Sequence, residues 1–330
     1  MNPKSSSVSR RQVIGAAAAA ATLGLPGLAH AQGAYPNKPL RMIVPYPPGG
    51  GADIVARMLA QKMGQAMGQQ VLVDNKPGAS TIIGTDLLAK AAPDGYTFGL
   101  ITDSHAINPN FFPKLPYDSF KDFAFLSQLV FVPLAMVAHP SLNVKTLPEF
   151  IALAKSRPAQ INYASIGNAT PHHLAMEMFK SLAGVNLTHV PYKGVAPALA
   201  DVVAGQVQVM FTGTSSAAPY VREGRLVALG VSSAKRQPAF PTIPSVAEAV
   251  PGYDFMTWYG SAAPAGTPRE IVQRLSKEIA AALGQPDVRE RLQGIGVEPA
   301  PSSPDDFAAF MRKESESLGK IVRMTGVKPE

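Results

Sequence analysis

Two stretches of this chain are built to one plan, and that plan restricts the fold more than any other feature. Residues 41–53, RMIVPYPPGGGAD, run into the apolar-periodic segment Ile54 to Leu59, and residues 161–171, INYASIGNATP, run into His172 to Phe179. Each reads as a short buried strand, a glycine-bearing loop and an amphipathic helix. Such a loop aims unpaired backbone N–H groups and the positive end of a helix dipole at one point. Two of these devices facing each other across a cleft would grip an anion from both sides.

The same rhythm continues through the chain. Apolar runs of strand length lie at 40–44, 71–73, 97–101, 161–164, 187–190, 207–211 and 226–231, with helical patterns at 52–67, 82–91, 147–155, 172–182 and 196–204 between them. Alternation of this kind predicts doubly wound α/β architecture with ligands at the carboxyl ends of the strands. The last part differs. Segments 268–283, 286–293 and 303–324 read as three helices, two opened by proline and the third by Asp305 and Asp306. Segment 123–138 is too long for one ordinary strand and suits a strand passing between two domains, and 255–263 suits the return. The expected division is a discontinuous lobe I, residues 32–127 with 253–330, and an inserted lobe II, residues 128–252. About 300 mature residues also predict two domains rather than one core.

The N-terminus sets the compartment. Lys4, Arg10 and Arg11 precede an apolar, alanine-rich run from Val13 to Leu25, and Ala29-His30-Ala31 has the small-residue pattern of a cleavage site. That run is far shorter than the roughly 20 residues a membrane span needs, so residues 1–31 read as an export signal, cleaved after Ala31. Ser9-Arg10-Arg11-Gln12-Val13-Ile14 resembles a twin-arginine signal, although a general secretory signal has the same outline. Either route places the mature protein in the periplasm.

Composition narrows the chemistry. The chain has 30 Lys and Arg against 23 Asp and Glu; removing residues 1–31 takes three basic groups and no acidic one, which leaves a small positive excess that suits an anionic ligand. The charges are scattered, with no basic run, so nucleic acid is not an expected partner. There is no cysteine, which excludes disulfides, thiolate metal sites and cysteine nucleophiles.

At this point a set of motifs resembles a known family, the Bug family of extracytoplasmic receptors of tripartite tricarboxylate transporters. The motifs are PYPPGG from Pro45 with Asp53, VDNKPGA from Val73, AAPDGYT from Ala91 and TPHH from Thr170. They continue with VPYKG from Val190, GQV from Gly205 and APAGTP from Ala263, in order over the whole mature chain. The resemblance implies a periplasmic-binding-protein type II fold, with two doubly wound lobes around a ligand cleft. It implies a small organic carboxylate as ligand (a dicarboxylate, an amino acid or an aromatic acid) and integral membrane permease subunits as partners. The first-lobe loop is then expected to hold the carboxylate largely through ordered water, with second-lobe loops completing the grip. No cofactor and a monomeric receptor are expected.

Carried onto this sequence, the first-lobe contacts are Tyr46, Gly49, Gly50, Gly51 and Asp53, with Asp53 suited to capping the helix or tying down the loop because an acid set against a carboxylate repels it. Ser80 and Thr81 form a second candidate wall where the family usually has Gly-Gly-Asn-like residues. Ser104 and His105 follow a strand end. From the second lobe come Ser165, Gly167, Asn168, Ala169 and Thr170, then Thr214 and Ser215. His172 and His173 are adjacent on a helix, about 100° apart in direction, and so are poorly placed to share one metal ion; one is expected at the cleft mouth and the other packed or solvated. A hydrolase reading fails on order. Gly213-Thr214-Ser215-Ser216-Ala217 partly mimics a nucleophile elbow, but no His follows residue 189. The expectation is therefore a binding protein and not an enzyme, delivering its ligand to a permease or, alternatively, presenting it to a membrane kinase as a sensor.

Overall fold

The computed structural model describes residues 35–326, so the export-signal reading of residues 1–31 falls outside the described residues. The first half of the sheet is built on β1 (Leu40–Val44), which pairs in parallel with β2 (Val71–Asn75) on one side and β3 (Thr97–Thr102) on the other. Four of the five residues of β1 are buried, as expected for a strand covered on both faces of a parallel sheet. Helix α1 (Gly51–Met67) crosses from β1 to β2 and α2 (Ile82–Ala89) from β2 to β3. The second half repeats this with β5 (Asn162–Ser165), β6 (Thr188–Pro191) and β7 (Val209–Gly213). Here β5 lies in parallel between the other two, and α5 (Pro171–Ala183) and α6 (Val195–Val203) make the crossovers.

One long strand, β4 (Phe123–Ala138), joins the halves. Its residues from Phe123 to Pro133 pair antiparallel with β9 (Met256–Pro264), and Leu134 to Ala138 pair with β7 and β8 (Val227–Val231). The full order is β2-β1-β3-β9-β4-β7-β5-β6, with β8 and the short β10 (Glu298–Pro299) both on β4. The change of partner falls at Pro133, which has no N–H to give to a ladder. By contact density the residues from Lys38 onward cluster as one unit, so no tether separates the two halves.

Two helices were not anticipated, α3 (Asp103–Phe111) and α7 (Thr214–Arg222). Each holds an internal proline, Pro109 and Pro219, which breaks the pattern a sequence reading looks for. Helix α4 (Leu147–Ser156) opens on a Thr146/Glu149 capping box. The three C-terminal helices are α8 (Arg269–Gly284), α9 (Pro286–Gly294) and α10 (Pro304–Thr325), and α10 packs over β4 and α3.

The core against α10 is aromatic. Trp258 meets Phe307 and Phe310 edge-on, with ring centroids 5.8 and 5.3 Å apart. Burying side chains of this size contributes about 1.5–3 kcal/mol each. Phe307 lies so close to the β9 backbone that a Cβ on Gly260 would stand 2.0 Å from its Cζ, so any side chain at 260 displaces the ring. Among the described residues no helix is long and apolar enough to cross a membrane.

Candidate functional site

A cavity of about 640 Å³ is lined by the segment that follows β1, the end of β5 and the N-terminal ends of four helices. These are α1 (Gly49 to Ala52), α5 (Pro171 and His172), α6 (Gly194 and Val195) and α7 (Gly213 and Ser215). None of the four has its first-turn amides capped by the residue before it. Three of those residues, Gly50, Gly194 and Gly213, have no side chain to offer. The fourth, Thr170, turns its Oγ1 away to donate to the Gly167 carbonyl at 2.6 Å. Thr102, Thr146 and Ser303 cap α3, α4 and α10, while α2, α8 and α9, whose N-termini lie outside the cavity lining, are uncapped as well, so it is the convergence that distinguishes the four. Helix N-termini converging on one space lend it positive potential without a buried cation, and none of the four receives an acceptor from its N-cap side chain. A second, more open groove of about 760 Å³ runs along α1 and β2 between Arg57 and Val73, but no helix N-terminus points into it.

The loop after β1 is held from behind. The buried carboxylate of Asp53 accepts from the Gly49 amide, Arg57 Nε and Asn75 Nδ2, each at 2.9 Å. Asn75 Nδ2 also donates to the Tyr46 carbonyl at 3.0 Å. Burial alone would raise the Asp53 pKa, but the hydrogen bonds from Arg57, Gly49 and Asn75 outweigh it and hold the carboxyl below its ordinary value. Asp53 is thus spent on the loop and does not line the cavity. Gly49 takes φ +84°, and a Cβ on Gly51 would come within 3.0 Å of Tyr259 Oη, so glycine permits both the turn and the approach of the β9 tyrosine.

The inner wall joins Tyr46, Tyr259 and Asp103. Tyr46 Oη shares hydrogen bonds with Thr102 Oγ1 at 2.9 Å and Ser104 Oγ at 3.3 Å. Burial, with the Asp103 carboxyl adding to it, pushes the Tyr46 phenol up to about 12, and burial raises Tyr259 as well. Ser104 supports Tyr46 rather than lining the space. His105 lies elsewhere: it is buried, its Nε2–H donates to the Ser119 carbonyl at 2.7 Å, and its ring meets Phe123 edge-on at 4.7 Å. Burial pulls it down to about 4, so it is a neutral core residue away from the cavity.

The remaining candidates divide in the same way. Ser80 Oγ donates to the Asn168 carbonyl at 2.6 Å, and Ala79, Ser80 and the buried Thr81 all have positive φ, at 45°, 50° and 74°. The β5 loop closes on itself. Ser165 Oγ shares a 2.6 Å hydrogen bond with His189 Nε2 and accepts from the Gly167 amide at 3.1 Å, while Gly167 and Ala169 take positive φ. Ser165, Gly167, Asn168, Ala169 and Thr170 therefore shape this loop, and its cavity face is formed by Ile166, Pro171 and His172. Thr214 Oγ1 donates to the Ile295 carbonyl at 3.2 Å, which leaves Ser215 as the lining residue of that pair. His173 is packed against His189 with ring centroids 4.1 Å apart, while His172 lines the cavity. Among the described residues no three His, Asp or Glu side chains are grouped to hold a metal ion.

The sequence reading placed Tyr46, Gly49, Gly50, Gly51 and Ser215 where the cavity is. It also set the segment from Thr102 to His105 towards the cleft, of which Asp103 alone lines the cavity, but it did not place Thr257, Tyr259 or the turn from Lys193 to Val195 there. The last had a signal, since VPYKG is one of the motifs quoted above. Tyr259 had none, because it arrives from a strand more than two hundred residues along the chain.

Residues 55–327 match the family described as tripartite tricarboxylate transporter family receptor. The chain belongs to that family. It is a family of periplasmic solute-binding receptors, not of enzymes. The receptor is 35% identical over 297 residues to protein BugT of Bordetella pertussis, an alignment covering 89% of this chain and 91% of BugT. Among solved structures it is similar to an R. palustris protein determined with adipate, with TM-score 0.86, 34% identity and coverage of 90% and 100% of the two chains. It is also similar to MatC from Rhodopseudomonas palustris with bound malate, with TM-score 0.82, 32% identity and coverage of 87% and 100%. These likenesses place the receptor in the periplasmic-binding-protein fold.

Proposed function

We propose that this receptor captures a small organic carboxylate in the 640 Å³ cavity and presents it to the membrane permease of a tripartite transporter from the periplasm. The observation that carries the reading is the convergence of four uncapped helix N-termini on that cavity. They offer several amide donors and partial positive charge, with Lys193 adding a full charge on the lining, a combination suited to a carboxylate held directly or through water. The adipate and malate bound to the two similar structures support the ligand class, and the family description supports the permease.

In this reading residues 32–127 with 253–330 form lobe I and residues 128–252 form lobe II. The lobes close about the point where β4 changes partner, near Pro133, with β9 running beside it. Gly49, Gly50 and Gly51 meet the ligand from one side, and His172, Gly194 and Ser215 from the other. A thermal-shift screen of the mature protein against a library of mono- and dicarboxylates tests the reading. A ligand present at 100 times its Kd should stabilise by about 2.7 kcal/mol. Shifts caused equally by amides and alcohols of the same skeletons would contradict it.

A further inference from the structure

Asp103 is a buried acid on the cavity wall to which no side chain of the protein donates a hydrogen bond. It stands at the first residue of α3, is 1% exposed and lines the cavity, yet neither carboxyl oxygen has a hydrogen-bond partner. Two unsatisfied oxygens on one buried carboxyl carry a desolvation cost that native structures rarely leave standing. No side chain of opposite sign offsets it. From the loop after β1 and from β9 the neighbours are the phenols of Tyr46 and Tyr259, and from α10 the nearest charge is a second, largely buried acid, Glu314. Burial first, and the Glu314 charge second, hold Asp103 well above its ordinary pKa. The amides of Asp103, Ser104 and Trp258 work against that rise without reaching hydrogen-bond geometry.

Both oxygens lack donors, and this decides between ligand groups. A neutral Asp103 donating to a ligand carboxylate would leave its own carbonyl oxygen unsatisfied. A ligand hydroxyl would bring one donor for two oxygens. An ammonium brings three donors and the opposite charge, into a corner that holds two acids, two phenols and no base.

We infer that Asp103 is a ligand-contacting specificity residue that receives the ammonium of an amino-carboxylate while the helix N-termini hold its carboxylate. The preferred ligand class is then amino acids rather than simple dicarboxylic acids. The inference rests on the carboxylate reading above and narrows it.

The test is calorimetric titration of the mature receptor with matched pairs differing only in the amine. The pairs are L-aspartate and succinate, L-glutamate and glutarate, L-leucine and 4-methylpentanoate, and L-phenylalanine and 3-phenylpropionate. The expected result is that the best-binding pair favours the amino acid by tenfold or more, and that Asp103→Asn cuts this ratio at least tenfold. A preference for the amine-free acid, or an amine preference that survives in Asp103→Asn, would overturn the assignment while leaving a carboxylate receptor. Tighter binding of the amine-free acids at low pH would instead identify Asp103 as a protonated donor, and would equally overturn it. If no compound of either series binds, the carboxylate reading fails and this inference with it.

Discussion

Ser80 Oγ donates a hydrogen bond to the carbonyl of Asn168 at 2.6 Å, joining the loop that follows β2 to the loop that follows β5. These loops belong to the two halves of the sheet. Ser80 is also gripped at its own carbonyl by Asn108 Nδ2 at 3.1 Å. It sits in a run of three residues with positive φ, Ala79, Ser80 and Thr81, a conformation non-glycine residues hold only when their surroundings enforce it. The contact therefore ties the loop after β2 to the loop after β5.

Ser80→Ala removes that tie and leaves the Asn168 carbonyl without this donor. The expected loss is about 0.5–1.5 kcal/mol in the joined state, several-fold in ligand affinity, with a larger radius of gyration in small-angle scattering. An unchanged radius together with unchanged affinity would show that the contact does not hold the halves together.

Asp53→Ala should free the loop after β1. Loss of three hydrogen bonds to one buried carboxylate should destabilise the fold by about 1–3 kcal/mol, and ligand affinity should fall because Gly49 and Gly50 are no longer positioned. Urea denaturation measures the first effect and calorimetry the second. Full affinity with a lowered urea midpoint would mean that the loop does not form the grip.

Gly50→Val separates folding from binding. The only atom within 4 Å of a Cβ at this position is the Pro47 carbonyl oxygen, 3.9 Å away, and φ at Gly50 is −80°, so the fold should accept the side chain. The isopropyl group would enter the cavity and block close approach of an anion to the α1 amides. Expected are a melting temperature within a few degrees of the parent protein and no measurable carboxylate binding.

The plan of strand, glycine loop and helix was legible because each of its parts leaves a local mark. Residues 40–44 are apolar apart from Arg41, Pro47 to Gly51 break the run, and Ala52 to Met67 repeat at helical spacing. The long strand from Phe123 to Ala138 was legible from its length alone. What could not be read was where local signals contradict the outcome or where contacts are remote. Pro109 and Pro219 hid α3 and α7. His105 follows a strand end, as a cavity residue would, yet α3 turns it inward among Tyr117, Phe123 and Phe125. The hydroxyls of Ser165 and Thr170 are used to close their own loop, because the backbone there needs internal support at Gly167. The surroundings of Asp103 depend on residues from the loop after β1, from β9 and from α10 meeting around it, which no local pattern records.

Stability should fall as pH drops from about 6.5 towards 4. His105 and His173 are both buried, and burial lowers them to about 4 and about 3. Between the unfolded value near 6.5 and those folded values, the unfolded chain binds more protons, so acidification favours unfolding. Asp103 acts with the opposite sign, since its folded pKa is raised: its cost is greatest at high pH and vanishes below the ordinary aspartate value. Ligand-free Asp103→Asn should therefore melt higher than the parent protein at pH 8, with the difference closing by pH 4. A melting profile flat between pH 6.5 and 4, or an Asp103→Asn gain that grows on acidification, would contradict these assignments.

The central claim, reversible capture of an unaltered carboxylate in the cavity, is tested most directly by equilibrium dialysis of the mature receptor against the best carboxylate from the screen, with the compound assayed by mass spectrometry on both sides of the membrane. The account predicts an excess of one intact ligand per receptor on the protein side, absent with Gly50→Val, and full recovery of unchanged compound. No excess on the protein side, or steady conversion of the compound to a new mass, would contradict it.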